Sequence, residues 1–398
     1  MSLSKHFSQR TVRMHPPVIR KIAQMIQPDT ISFGAGNPPA SVFPVDEIYA
    51  KTGEILEKFG GRTMQYADTR GLPALRQWIA NQTSSALSGP INSDRVTIIS
   101  GSQQAIDLVG KLFVDEGDKV IVPAPTYAST LTTLNVYGAD YIGVPCDEYG
   151  MLPDALEEAC QQSPTLLYCI PNFSNPTGVY MSLERRQNIV KLAEKYDIPI
   201  FEDDPYGYLR FEGEALPNLY ELAPDRVIYA GSFSKIVAPG FRIAWVVTPA
   251  EITAKMVIAK QGTDLQSAYY TQFLLHELVS DGFIEPRIEQ LRTYYHNQCN
   301  LMLGAMKRHF PTEIVYHKPQ GGMFIWCELP AHLDATELLK PCFEEKVAYV
   351  PGAGFYPDNS PLLAKNTLRL SFSLATAEEI EVGIERLGRV FARAIRGT

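Results

Sequence analysis

Short apolar runs that each stop at small or polar residues, with helical patterns between them, constrain this chain more than any other feature. Residues 95–99, 119–122, 166–170, 199–201, 226–230 and 243–247 read as buried strands bounded by turn formers. Between them, 105–113 and 182–196 carry helical periodicity. Ser182 stands where an N-cap belongs, and Arg185 is expected to be exposed. Strands that alternate with helices indicate an α/β protein built on a mainly parallel sheet.

Composition narrows the class. The chain has 398 residues, 45% hydrophobic and 20% charged, enough for one large or two ordinary domains with a developed core. A formal net charge of −8 argues against a nucleic-acid partner. Cys146, Cys160, Cys169, Cys299, Cys327 and Cys342 show no CxxC pair and no metal-site spacing, which suits free thiols in a reducing cytoplasm and predicts no metal. No stretch approaches 18 uninterrupted apolar residues, and the first residues lack a signal-peptide core.

The chemistry gathers where the apolar runs end. Between two of them lies Ser232-Phe-Ser-Lys-Ile-Val-Ala-Pro-Gly-Phe-Arg242. A lysine held near the interior has a lowered pKa and serves as a nucleophile, and Arg242 offers a fork of donors suited to a phosphate. A surface lysine on a loop is the bland alternative. The run 199–201 ends in Glu202-Asp203-Asp204, which by itself reads as a solvated acidic loop. The run 95–99 leads to Gly101-Ser102-Gln103 and a helix start, a geometry that presents N–H groups to an anion. Asn175-Pro-Thr-Gly178 reads as a turn, Tyr66 as a half-buried aromatic, Tyr127 as a core tyrosine, and Arg369 as a charge among apolar strand residues. On 17–26, Ile19, Ile22, Ala23 and Ile26 share a helical face that leaves Arg20 to solvent.

Ser-x-Ser-Lys followed by Pro-Gly-x-Arg resembles the lysine motif of fold-type I, pyridoxal-phosphate-dependent aminotransferases (class I/II). Eight motifs appear in that family's order from Gly36 to Arg369. The resemblance implies an aspartate-aminotransferase-like fold. A large cofactor-binding domain over 50–290 is joined by a smaller α+β domain over 291–398, to which 1–49 contributes. It implies pyridoxal 5′-phosphate as cofactor, in Schiff-base linkage with Lys235. Gly101, Ser102, Gln103, Ser234 and Arg242 hold the phosphate, helped by Tyr66 from the neighbouring subunit of a homodimer, and Ser232 also binds the cofactor. Tyr127 stacks on the pyridine ring, and Asp203 faces the ring nitrogen. Asn175 and Tyr206 bind the phenolic oxygen. Arg369 grips the substrate carboxylate, with Gly36 beside it and Arg20 as a candidate for side-chain discrimination.

The branch most resembled holds 2-aminoadipate, kynurenine and aromatic aminotransferases. Gly34-Ala-Gly-Asn-Pro38 replaces the more usual Ala-Gly-Gly-Leu-Pro there, at the substrate wall. The implied reaction is ping-pong transfer of an amino group from an acidic, aromatic or bulky aliphatic L-amino acid to a 2-oxo acid such as 2-oxoglutarate. A β-lyase or decarboxylase on the same scaffold is the alternative. A pyridoxal-phosphate-binding regulatory domain would need a winged helix ahead of Gly36.

Overall fold

The computed structural model describes residues 3–16, 22, 24–84, 91–358 and 360–397. Its strands in chain order are β1 Ile31–Ser32, β2 Val96–Ile99, β3 Lys119–Ala124, β4 Asp140–Asp147, β5 Gly150–Met151, β6 Leu166–Cys169, β7 Ile200–Asp204, β8 Val227–Ser232 and β9 Ala244–Val247, followed by β10 Val315–Tyr316, β11 Phe324–Glu328, β12 Val347–Ala348, β13 Val350–Pro351 and β14 Thr367–Ser371.

Eight strands form the central sheet in the order β2-β9-β8-β7-β6-β3-β4-β5. The run β8-β7-β6-β3-β4 is parallel throughout. β6, β7 and β8 are buried at every residue, and β3 at all but Lys119, as continuous apolar runs covered on both faces must be. β9 alone reverses direction among these neighbours, pairing antiparallel with both β8 and β2. That reversal brings the start of β9 to the same sheet edge as the ends of β2, β6, β7 and β8. Everything that follows depends on this edge, because an open α/β sheet binds ligands beyond the carboxyl ends of its strands.

A second, antiparallel sheet runs β10-β11-β14-β13. β1 pairs parallel with β12, and the Ser371 amide donates to Phe33 O, so the segment after β1 is laced to the smaller sheet. The helix Ala377–Arg396 lies along Ile284–His309. It opens on a capping box between Thr376 and Glu379 and closes on Gly397 at φ 72°. Helices Val45–Phe59 and Ile284–His309 run unbroken through the divisions expected at 49 and 290. Continuous helical backbone, not a linker, therefore crosses both places. Arg185 departs from the exposure expected of it. Its side chain is 14% exposed, folded back to Asp147 (2.8 Å) and Met151 O (2.6 Å) across the β4–β5 turn.

Candidate active site

Five chain segments meet at the sheet edge around a cavity of about 330 Å³. Ser102 and Gln103, Tyr127, Asn175, Asp203 and Tyr206, and Ser232, Ser234, Lys235 and Arg242 all line it. Larger cavities exist, such as two of about 510 and 540 Å³, but the first has no lysine and the second only the exposed Lys255, and neither is lined by a buried carboxylate oxygen without a partner among the described residues. Chemistry, not size, singles out the smaller one.

Lys235 follows the end of β8, and its Nζ donates to Gly36 O at 2.9 Å. Burial, with Arg242 and Arg369 nearby, lowers its pKa from 10.5 to about 8. The ammonium thus gives up its proton near physiological pH, as a nucleophile must. The three acids ending β7 are all buried, so the solvated-loop alternative fails. Glu202 accepts from the amides of Leu219 (3.0 Å) and Tyr220 (2.8 Å), and burial pushes it up to about 8. Asp204 accepts from the Gly207 amide (2.9 Å) and the Tyr229 hydroxyl (3.2 Å). These two acids face away from the cavity and brace neighbouring loops.

Asp203 differs. Its Oδ2 accepts from the Tyr168 hydroxyl at 3.2 Å, while its buried Oδ1 has no partner among the described residues. Burial pushes its pKa up to about 7, against the Tyr168 bond. A buried carboxylate oxygen without a donor is costly, and a ligand N–H in the cavity would satisfy it. That orphaned oxygen fits a protonated pyridine ring.

At the opposite end, Gly101 caps the helix Ser102–Phe113 at φ 87°. A Cβ there would lie 2.2 Å from Arg242 Nη2, so only glycine lets the guanidinium settle on this turn. Arg242 itself is left-handed (φ 53°, ψ 40°), and its Nη2 donates to Ser100 O at 3.2 Å. The helix N-terminus, Ser102, Ser234 and Arg242 together make a cradle for a dianion. The cavity's residues therefore fit pyridoxal phosphate at both of its ends.

Arg369 is 2% exposed in the middle of β14. Its guanidinium lies over the rings of Phe324 (4.3 Å) and Phe355 (5.1 Å). Nη1 donates to Asn175 Oδ1 at 2.7 Å, Nη2 donates to Gly34 O, and buried Nε has no partner among the described residues. Asn175 Nδ2 in turn donates to the Tyr206 hydroxyl at 3.5 Å. Gly36 packs on the Phe324 ring so closely that a Cβ would sit 2.5 Å from it.

Tyr66 stands apart, 78% exposed, and Arg20 lies outside the described residues. Sequence reasoning also missed several contributors. Ser129, Ile170 and Pro205 line the cavity. Tyr168 orients Asp203, and Phe324 and Phe355 sandwich Arg369. Arg186 is fully buried and donates to Pro171 O (3.3 Å), Asn172 Oδ1 (2.7 Å), Met181 O (3.0 Å) and Pro217 O (3.1 Å). It ties both ends of the loop that carries Asn175. A signal existed, because Arg186 stands on the stripe of Ile189, Val190 and Ala193.

The model of the family described as "Aminotransferase class I and II" matches residues 28–387. The chain belongs to the class I and II aminotransferases. It is 39% identical to a 2-aminoadipate transaminase of Thermus thermophilus, over 98% of this chain and 97% of that one. It is 36% identical to aromatic-amino-acid aminotransferase 1 of Thermococcus litoralis, over 100% and 96%. The solved alpha-aminoadipate aminotransferase of Thermus thermophilus, complexed with N-(5′-phosphopyridoxyl)-L-leucine, superposes with a TM-score of 0.92 at 37% identity, covering 100% of both chains. Like its family, this chain is a pyridoxal-phosphate-dependent transaminase with the aspartate-aminotransferase-like fold. No helix among the described residues is long and apolar enough to cross a membrane.

Proposed function

We propose that this aminotransferase moves the amino group of an acidic, aromatic or bulky aliphatic L-amino acid to a 2-oxo acid such as 2-oxoglutarate. The buried guanidinium of Arg369 carries the reading. Two of its donors are already directed by Asn175 and Gly34, and its buried Nε has no partner among the described residues, which leaves the guanidinium with unspent capacity for a carboxylate. The walls beside it are Phe324 and Phe355, so an apolar side chain finds aromatic surface. Bound pyridoxal phosphate would supply the electrophilic carbonyl and the electron sink.

The chain's own residues do the rest. Asp203 Oδ1 holds the proton on the ring nitrogen, and Asn175 and Tyr206 steady the phenolic oxygen. Tyr127 flanks the ring. Gly101, Ser102, Gln103, Ser234 and Arg242 retain the phosphate, and Ser232 supports Ser234, its Oγ accepting from the Ser234 amide at 3.1 Å. Lys235, near neutrality in its ionisation, shuttles the proton at the substrate Cα.

Tyr66 is exposed on one chain and reaches the phosphate in a second, which makes the working unit a homodimer. The division of labour is a cofactor domain over 50–290 and a substrate-closing domain formed by 291–398 with 1–49. Six free cysteines, five of them buried, suit the reducing cytoplasm.

Arg20 is the candidate that admits a distal carboxylate. A panel of amino donors with 2-oxoglutarate, scored by the 2-oxo acid formed, tests the whole reading. Release of ammonia and pyruvate without an acceptor would replace transfer by elimination. Arg20→Ala should weaken kcat/KM for dicarboxylic donors by about tenfold, or about 1.4 kcal/mol, and leave aromatic donors unchanged. Equal losses on both classes would remove Arg20 from the pocket.

A further inference from the structure

Lys260 has no part in the chemistry described above, yet it is the most completely buried ammonium in the neighbourhood. Its side chain is 0% exposed. Nζ donates to Gln104 Oε1 (3.0 Å), to both Asp264 oxygens (2.8 and 2.9 Å) and to Ser267 Oγ (3.0 Å). Burying an ammonium is expensive, and a full set of partners is what makes it tolerable. A methionine of similar length would spare the fold that cost. The partners indicate what the charge holds.

Each of them also grips Ser100, the residue before Gly101. Gln104 Oε1 accepts from the Ser100 amide at 2.8 Å, Asp264 Oδ2 accepts from Ser100 Oγ at 2.8 Å, and Ser267 Oγ lies 2.9 Å from the same hydroxyl. The remaining polar atom, Ser100 O, accepts from Arg242 Nη2 at 3.2 Å. Ser100 is thus fixed at every polar atom, and three of its four links converge on the Lys260 ammonium. Gly101 needs this, because a glycine at φ 87° has wide freedom and cannot hold the turn alone. The same stretch reaches outward. Gln266 Oε1 accepts from the Ala67 amide, next to Tyr66.

Resting on the reading that this turn and Arg242 receive the cofactor phosphate, we propose that Lys260 is a positioning residue. It pre-sets the Ser100–Gly101 turn, the amides of Ser102 and Gln103, and the Arg242 fork for a phosphate. It touches neither cofactor nor substrate. Lost pre-organisation then appears as lost phosphate affinity, with the ring end of the site untouched.

The test compares apoenzyme binding of pyridoxal 5′-phosphate, pyridoxal and inorganic phosphate, by absorbance titration and competition. Lys260→Met should weaken pyridoxal 5′-phosphate and inorganic phosphate by about 10- to 100-fold, the scale on which outer-shell partners act at metal sites. Pyridoxal, which has no phosphate, should bind as it does to the parent. Parallel losses for pyridoxal and its phosphate would make Lys260 a general structural residue and overturn the proposal, as would no loss at all. If Lys260→Met does not fold, Ser100→Ala, which cuts the hydroxyl link and leaves the Lys260–Asp264 pair, should show the same selectivity at smaller size; an unselective loss overturns the proposal. A parent that gains nothing from the phosphate group refutes the phosphate-site reading itself. A parent that gains, beside a Lys260→Met that keeps the gain, refutes Lys260 alone.

Discussion

The two arginines of the site are built in opposite ways. Arg369 lies at the floor, buried between two phenyl rings, its guanidinium oriented by Asn175 and Gly34. Arg242 lies at the rim, exposed in the single chain and left-handed, held by two backbone carbonyls, Ser100 O of the glycine turn and Pro239 O of its own segment. The floor is finished by this chain alone. The rim has two open members, Arg242 and Tyr66, and a second network behind it centred on Lys260. The floor is ordered by direct contacts to Arg369 itself, whereas the rim is pre-set from behind through Ser100 and is left for a cofactor, and by our reading a second subunit, to complete.

The largest test of this contrast is Lys235→Ala at the floor. Turnover should fall by more than about 10⁴-fold, since covalent attachment and proton transfer are both removed. Circular dichroism should be unchanged. Borohydride reduction of the parent followed by peptide mapping should place the pyridoxyl group on Lys235, and any other lysine would displace the assignment.

Asp203→Asn comes next, with a loss of kcat on the order of 10²-fold or more, because an amide cannot hold the ring proton. Asp204→Asn should instead cost stability, about 1–3 kcal/mol from weakened bonds to Gly207 and Tyr229, with turnover largely kept. Equal loss of turnover in the two variants would mean the acids are assigned in the wrong register.

The pH dependence gives a signed check. The pKa of Asp203 rises from 3.8 to about 7 on folding, so its stabilisation is present at low pH and is lost as pH rises through that window. Cofactor-free Asp203→Asn should therefore be more stable than the cofactor-free parent at pH 8, and the gap should close toward pH 4. Urea midpoints at the two pH values measure it; a gap that widens on acidification would show that Asp203 is not the strained acid.

Arg369→Lys should lower kcat/KM by about 10²-fold, some 2.7 kcal/mol, because an ammonium can neither span a carboxylate nor lie flat between Phe324 and Phe355. Steady-state kinetics with short and long donors check this; an effect confined to one donor class would move Arg369 from the α-carboxylate to the side-chain pocket.

The smallest signal comes from the rim. Mixing Lys235→Ala with Tyr66→Ala subunits should return about a quarter of the sites to activity, as expected for random pairing in a twofold dimer. Proven subunit exchange without recovery would keep Tyr66 within its own chain.

The residues themselves determined the strand ends. Period, length and bounding turn formers placed the runs before Gly101, Asn175, Asp203 and Lys235, because a strand buried on both faces must be apolar throughout and must stop at turn residues. Side-chain chemistry at those ends left bland alternatives open, and it was their order, through the resemblance to the aminotransferases, that gathered them into one site.

The resemblance singled out Asp203 among three adjacent acids, and the tertiary structure supplies the physical reason that it alone lines the cavity. Alternation separates Asp203 from its neighbours, but the direction depends on which face of β7 meets Tyr168, a long-range fact. The structure also decided that Arg186, Arg369 and Lys260 are buried. A lone charge in a sequence reads as solvated, since its desolvation is offset only by carbonyls, rings and carboxylates far along the chain. Those partners become visible once β9 reverses and the smaller sheet brings β14 against Gly34 and Asn175.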